Sequence, residues 1–115
     1  MTWDELLRYC LEKPGAWRDE PWDGDVVVKV GRKIFAFLGS GDPPSVGVKA
    51  GTRDDADEWI ARFPDDVRVM PYIGRHGWNT MACSGAISAD EIEDAIDTSY
   101  DIVVQSLPRR ERPEP

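Results

Sequence analysis

The sequence holds one histidine, His76, in the run Gly74-Arg75-His76-Gly77-Trp78. An imidazole becomes a general base when a carboxylate orients it and a nucleophile lies within its reach. Cys83 and Ser84 follow a few residues later, but no nucleophile-elbow pattern surrounds either. No set of nucleophile, base and oxyanion donors can be assembled, so the sequence predicts a protein that is not an enzyme. The glycines flanking Arg75 and His76 imply a tight, exposed backbone. Arg75, His76, Trp78 and Trp22 are therefore candidates for contact with a ligand or a partner. An indole at a loop or strand start often packs its ring and keeps its N–H for another group.

Metal chemistry has little to work with. Cys10, Cys83 and His76 are too scattered for a four-ligand zinc site. Asp90, Asp94, Asp97 and Asp101 recur at helical spacing, with Glu93 beside them. Such a stripe offers oxygen to a hard cation, but a regular helix lacks the wrapping loop of tight Ca²⁺ sites. It reads first as a solvated face, and no resident metal or cofactor is expected. Gly39-Ser40-Gly41 leads into Asp42 and two prolines, with no lysine or helix start behind it. That is a turn and not a phosphate cradle.

The basic residues are more suggestive. Lys29, Arg32 and Lys33 flank one short connection, and Lys49 lies a strand further on. A basic hairpin beside aromatic residues can track a phosphate backbone, which makes these four the candidate DNA contacts. The same lysines can equally blunt a sheet edge against aggregation.

The rest of the chain limits that reading. Its 115 residues suit one domain. The net charge is −8 and the pI near 4.5. Residues 1–50 carry seven basic and eight acidic side chains, and residues 51–115 carry seven and fourteen. Generic nucleic-acid binders carry excess Lys and Arg, so the charge counts against that class. The longest apolar run, residues 34–38, falls far short of the roughly 18 residues of a membrane span. The first residues lack the basic start and apolar stretch of a secretory signal. The two distant cysteines form no disulfide framework and no redox pair, which points to reduced thiols and the cytoplasm.

These residues are positioned by a legible series of elements. Thr2 and Glu5 have capping-box spacing, and Trp3, Leu6, Leu7, Cys10 and Leu11 form one apolar helix face up to Pro14-Gly15. Residues 16–24 are expected to be a loop. Residues 25–30 and 33–38 read as strands joined at Gly31-Arg32, and residues 45–49 as a third strand of an antiparallel meander. A second helix is expected over residues 54–63, with its acidic start at the positive end of the helix dipole. Short strands at residues 67–69 and 78–83 follow. The last helix starts at Ser88, with Glu91 at the spacing of a second capping box, and ends at Pro108. Residues 1–108 form the domain, and residues 109–115 are expected to be a flexible tail. The order α-β-β-β-α-β-β-α predicts an α+β two-layer fold, an antiparallel sheet with helices on one face.

Several of these segments together resemble the MmcQ/YjbR family. They are Pro14-Gly15-Ala16, Pro21-Trp22, Lys29-Val30, Lys33-Ile34-Phe35-Ala36 and Pro71-Tyr72-Ile73-Gly74-Arg75-His76-Gly77-Trp78. Ser99-Tyr100, Val103-Val104 and Leu107 complete the set, so the resemblance spans residues 2–108. It implies a fold similar to frataxin/CyaY and to secretion chaperones. It also implies a double-wing DNA-binding protein, with the wing hairpin at Lys29, Gly31, Arg32 and Lys33, and it brings no catalytic residues. Two other readings accompany it. One is a protein-interaction or chaperone-like module using the acidic surface. The other is a weak frataxin-like cation binder using the carboxylates of the last helix.

Overall fold

A computed structural model describes residues 1–114. Helix α1, Trp3–Leu11, starts with the expected capping box: Thr2 accepts from the Glu5 N–H, and the Glu5 carboxylate accepts from the Thr2 N–H. Helix α2, Arg53–Arg62, is capped the same way by Thr52 and Asp55. Helix α3, Ala89–Ser106, departs from this pattern. Ser88 caps the Glu91 N–H, but the Glu91 carboxylate turns to Arg62 of α2 instead of closing a second box. A full guanidinium charge out-competes a neutral amide for that carboxylate.

The sheet has six strands, all antiparallel, in the order β1-β2-β3-β4-β6-β5. They are β1 Ala16–Trp22, β2 Asp25–Val30, β3 Lys33–Gly39, β4 Ser45–Lys49, β5 Val67–Val69 and β6 Trp78–Ala82. The segment expected to be a loop at residues 16–24 is therefore mostly strand, and the meander has four strands, not three. Asp23-Gly24 makes the hairpin turn, with Gly24 at φ +82°, the left-handed conformation that Asp-Gly turns supply. Pro21 sits where the β1–β2 register shifts between Asp19 and Trp22. A proline missing its N–H is tolerated at such a bulge on an edge strand.

All three helices lie on one face of the sheet, as expected. Leu6 and Cys10 of α1, and Ile92, Ile96 and Val103 of α3, pack with Val28, Val30, Val46, Val48 and Met81 of the sheet. A second bulge, between Val28 and Lys29 in the β2–β3 pairing, turns both Phe35 and Ala36 inward. Phe35 meets Tyr100 of α3 edge to face, at 5.2 Å between centroids. Its carbonyl accepts from the Ser99 hydroxyl at 2.7 Å, and that hydroxyl oxygen accepts the Lys49 N–H at 2.9 Å. One buried serine thus stitches α3 to two strands.

Both cysteines are free and buried. Burial pushes the Cys10 thiol up to about 12 and raises that of Cys83. A thiol this weakly acidic is about one part in ten thousand thiolate at pH 8. Iodoacetamide at pH 8 should leave Cys10 unmodified in the native protein and label it fully in denaturant. Mass spectrometry reads this directly, and rapid native labelling would contradict the packing described.

The segment assigned from sequence to a flexible tail begins with a one-turn 3-10 helix, Arg109–Glu111. Arg112 then donates to the carbonyls of Leu107 and Gln105. The last residue of that segment, Pro115, lies outside the described residues.

Candidate functional site

With the helices on one face, the other face of the sheet is open. One row crosses all six strands there: Asp19, Val27, Phe37, Gly47, Thr80 and Arg68. Gly47 removes the side chain from the middle of that row. A Cβ at Gly47 would come within 2.9 Å of the Met70 methyl, so Met70 lies directly over the backbone there. Phe37 stands beside the gap, braced edge to face by Trp78 at 5.5 Å.

The connection from β5 to β6 closes one side. Met70, Pro71, Tyr72 and Ile73 overhang the sheet, while Trp22 and Asp25 of the first hairpin form the opposite rim. Between them is a mostly apolar cleft of about 540 Å³. That volume falls within the roughly 300–1,000 Å³ of small-molecule sites.

Tyr72 is the most exposed large hydrophobic residue, at 99%, and the one non-glycine residue at positive φ, +68°, among those described. A tyrosine in this region costs roughly 1–2 kcal/mol. Strain held at a ligand clamp is a recurring feature of binding sites.

The overhang is held from behind. Arg53 of α2 donates to the Gly74 carbonyl and, at 2.8 Å, to Asn79 Oδ1, while Asn79 Nδ2 donates to the Ala56 carbonyl at 2.8 Å. The 3-10 turn Gly74–His76 is thereby tied to both α2 and β6.

The residues singled out from sequence are not gathered into one place. Lys29 is on the open face, ion-paired with Asp19 at 2.7 Å and stacked over the Trp17 ring at 5.1 Å. The Lys29 hydrogen bond also lowers the Asp19 carboxyl below its usual range. Arg32 is exposed and faces Glu111 at 3.6 Å. Lys33 bonds the Ser106 hydroxyl at 3.1 Å, near the C-terminus of α3, where a cation suits the helix dipole. Lys49 is half-buried and pairs in register with Trp78. Arg75 and His76 are exposed, with Arg75 Nε donating to His76 Nε2 at 3.2 Å, and they line no part of the cleft. Trp22 lines it directly, and Trp78 backs it through Phe37. Trp17 is turned to the far end of the hairpin, where its indole donates to the Gly31 carbonyl at 2.8 Å.

Asp97 of the carboxylate stripe is occupied by the Tyr9 hydroxyl at 2.7 Å and by Lys13. Among the described residues no three His, Cys, Asp or Glu side chains converge as metal ligands. No described helix is long and apolar enough to cross a membrane.

Sequence reasoning missed Asp25, Phe37, Met70 and Tyr72 as site residues. The Asp23-Gly24 turn was the signal for the first rim, since it sets Trp22 opposite Asp25. Gly47 between two buried valines was the signal for the gap.

The family model described as YjbR matches residues 11–102. The chain belongs to the YjbR family. The matched span contains every residue that lines the cleft. Among YjbR relatives, "Uncharacterized protein YjbR" of Escherichia coli strain K12 is 31% identical over 114 residues, covering 97% of this chain and 95% of the relative. The protein of the same name from Escherichia coli O157:H7 matches to the same extent. The crystal structure of a Deinococcus radiodurans protein with the DUF419 domain aligns at a TM-score of 0.86 and 22% identity, over 96% of this chain and 84% of that one. A Pseudomonas syringae protein aligns at 0.74 and 18%, over 89% and 98%. At these identities the two structures speak for the fold alone.

Proposed function

We propose that this YjbR-family chain is a non-enzymatic binding protein whose site is the cleft on the open face of the sheet. The observation that carries this reading is a mostly apolar cleft rimmed by exposed Trp22 and strained, exposed Tyr72. Solvated aromatic side chains around a concave apolar floor gain most by covering a ligand of similar polarity. Free, buried cysteines suit a reducing compartment, and we place the protein in the cytoplasm.

The hairpin is the other candidate, as a wing on DNA. Its cations already have partners: Asp19 for Lys29, Glu111 for Arg32 and Ser106 for Lys33. A phosphate would compete with the Asp19 and Glu111 carboxylates, against a net charge of −8.

Titration with Nile red, a neutral apolar dye, tests the cleft. Saturable one-to-one binding is expected. Trp22→Ala with Tyr72→Ala should weaken it at least tenfold, while Trp17→Ala leaves it unchanged. Both rim residues are exposed, so the fold should survive their removal. A labelled DNA duplex at low salt should show no binding. Dye binding that ignores the rim would overturn the cleft reading. So would salt-sensitive duplex binding lost on Lys29→Glu with Lys33→Glu.

A further inference from the structure

Asp25 is the one charged residue among those that line the cleft, and no basic residue joins it. The β1–β2 register places Asp25 directly opposite Trp22, across the Asp23-Gly24 turn. Cross-strand partners lie with Cβ atoms about 5 Å apart on the same face, so the carboxylate sits beside the indole at the cleft mouth. Asp25 is exposed, and none of the ion pairs among the described residues includes it. Lys29, on the same face of β2, is already paired with Asp19.

Resting on the cleft reading above, we propose that the ligand is a small amphiphilic cation: an apolar body seated over Val27, Phe37 and Met70, with an ammonium head at the Asp25 carboxylate and the neighbouring Trp22 ring. An aromatic face attracts a cation through its quadrupole, and tryptophan does so most strongly. A neighbouring carboxylate adds direct charge attraction, and the net charge of −8 draws cations toward the surface. An anionic ligand would meet the same groups as repulsion. The cavity volume suits one small molecule.

Three probes with one shared body separate the terms: 4-phenylbutyltrimethylammonium, 5-phenylpentan-1-ol and 5-phenylpentanoate, each competed against bound Nile red. The cation should displace the dye at least tenfold more effectively than the alcohol, with the carboxylate weakest. Asp25→Asn should shrink the cation-to-alcohol ratio to about threefold or less, each probe being referred to the variant's own affinity for Nile red so that any change in dye binding cancels. Equal displacement by cation and alcohol, or a ratio that survives Asp25→Asn, would overturn the cation assignment while leaving the apolar cleft standing. A hexapeptide of alternating arginine and tryptophan that out-competes the small cation would assign the cleft to a polypeptide and overturn it too. Failure of Nile red to bind at all would instead remove the cleft reading, and the cation proposal with it.

Discussion

Gly77→Ala is expected to remove a large fraction of the protein's stability. Gly77 ends the 3-10 turn at φ +89°, and its carbonyl accepts the Ala50 N–H at 2.8 Å. A Cβ placed there would lie 1.9 Å from the Gly51 carbonyl oxygen and 2.8 Å from its carbon. Both are backbone atoms, so no side chain can rotate away. The left-handed conformation alone costs an alanine roughly 1–2 kcal/mol. Relieving the overlap requires pulling the turn from the start of α2, which also breaks the Arg53 contacts to Gly74 and Asn79. A total above about 4 kcal/mol follows, a large fraction of a typical domain stability of about 5–15 kcal/mol.

Gly24→Ala separates the two components. Its φ is +82°, but a Cβ there meets nothing within 4 Å. Only the conformational cost remains, about 1–2 kcal/mol. Urea denaturation followed by circular dichroism compares them. Similar losses for the two variants would mean that the contact between Gly77 and Gly51 is not tight.

Ser99→Ala comes next, with an expected loss of about 2–4 kcal/mol. Ser99 is fully buried inside α3. Its hydroxyl donates to the Phe35 carbonyl, which the β-bulge displaces from regular pairing, and accepts from the Lys49 N–H. Alanine keeps the volume of the packing but leaves two main-chain groups unsatisfied in a dry interior. Each such group costs about 1–3 kcal/mol. Thr98→Ala, one residue away on the exposed side of the same helix, should change stability by less than about 0.5 kcal/mol. The same denaturation series decides the point. A loss at Ser99 no larger than at Thr98 would show that both backbone groups find other partners.

The elements with internal patterns were legible without coordinates. Two helices announce themselves by caps and the second by its acidic start, and five of the six strands were read as strands from their own residues. The exception, β1, carries Arg18, Asp19, Glu20 and Pro21. An edge strand has one neighbour and much solvent, so it needs no continuous apolar face and looks like a loop. The capping box expected at Ser88 failed for a related reason. Its second half depended on Arg62, 29 positions earlier in the chain.

The binding site was less legible than the fold. A sheet's period of two says which residues share a face; β2 and β4 obey it, while the bulge at Phe35 interrupts it in β3. It does not say which face the helices leave open, because that depends on how the helices return to the sheet. Nor can local spacing pair Lys29 with Asp19 or Arg32 with Glu111, or lay Lys33 against the Ser106 hydroxyl, so two of the three hairpin cations meet carboxylates in space. The sequence by itself determined the α+β class, the helix boundaries, the buried thiols and the family, since each rests on local pattern or on composition. The tertiary structure decided where a ligand can sit. Trp22, Asp25, Phe37, Met70 and Tyr72 come from separate segments, and long-range packing alone brings them around one cleft.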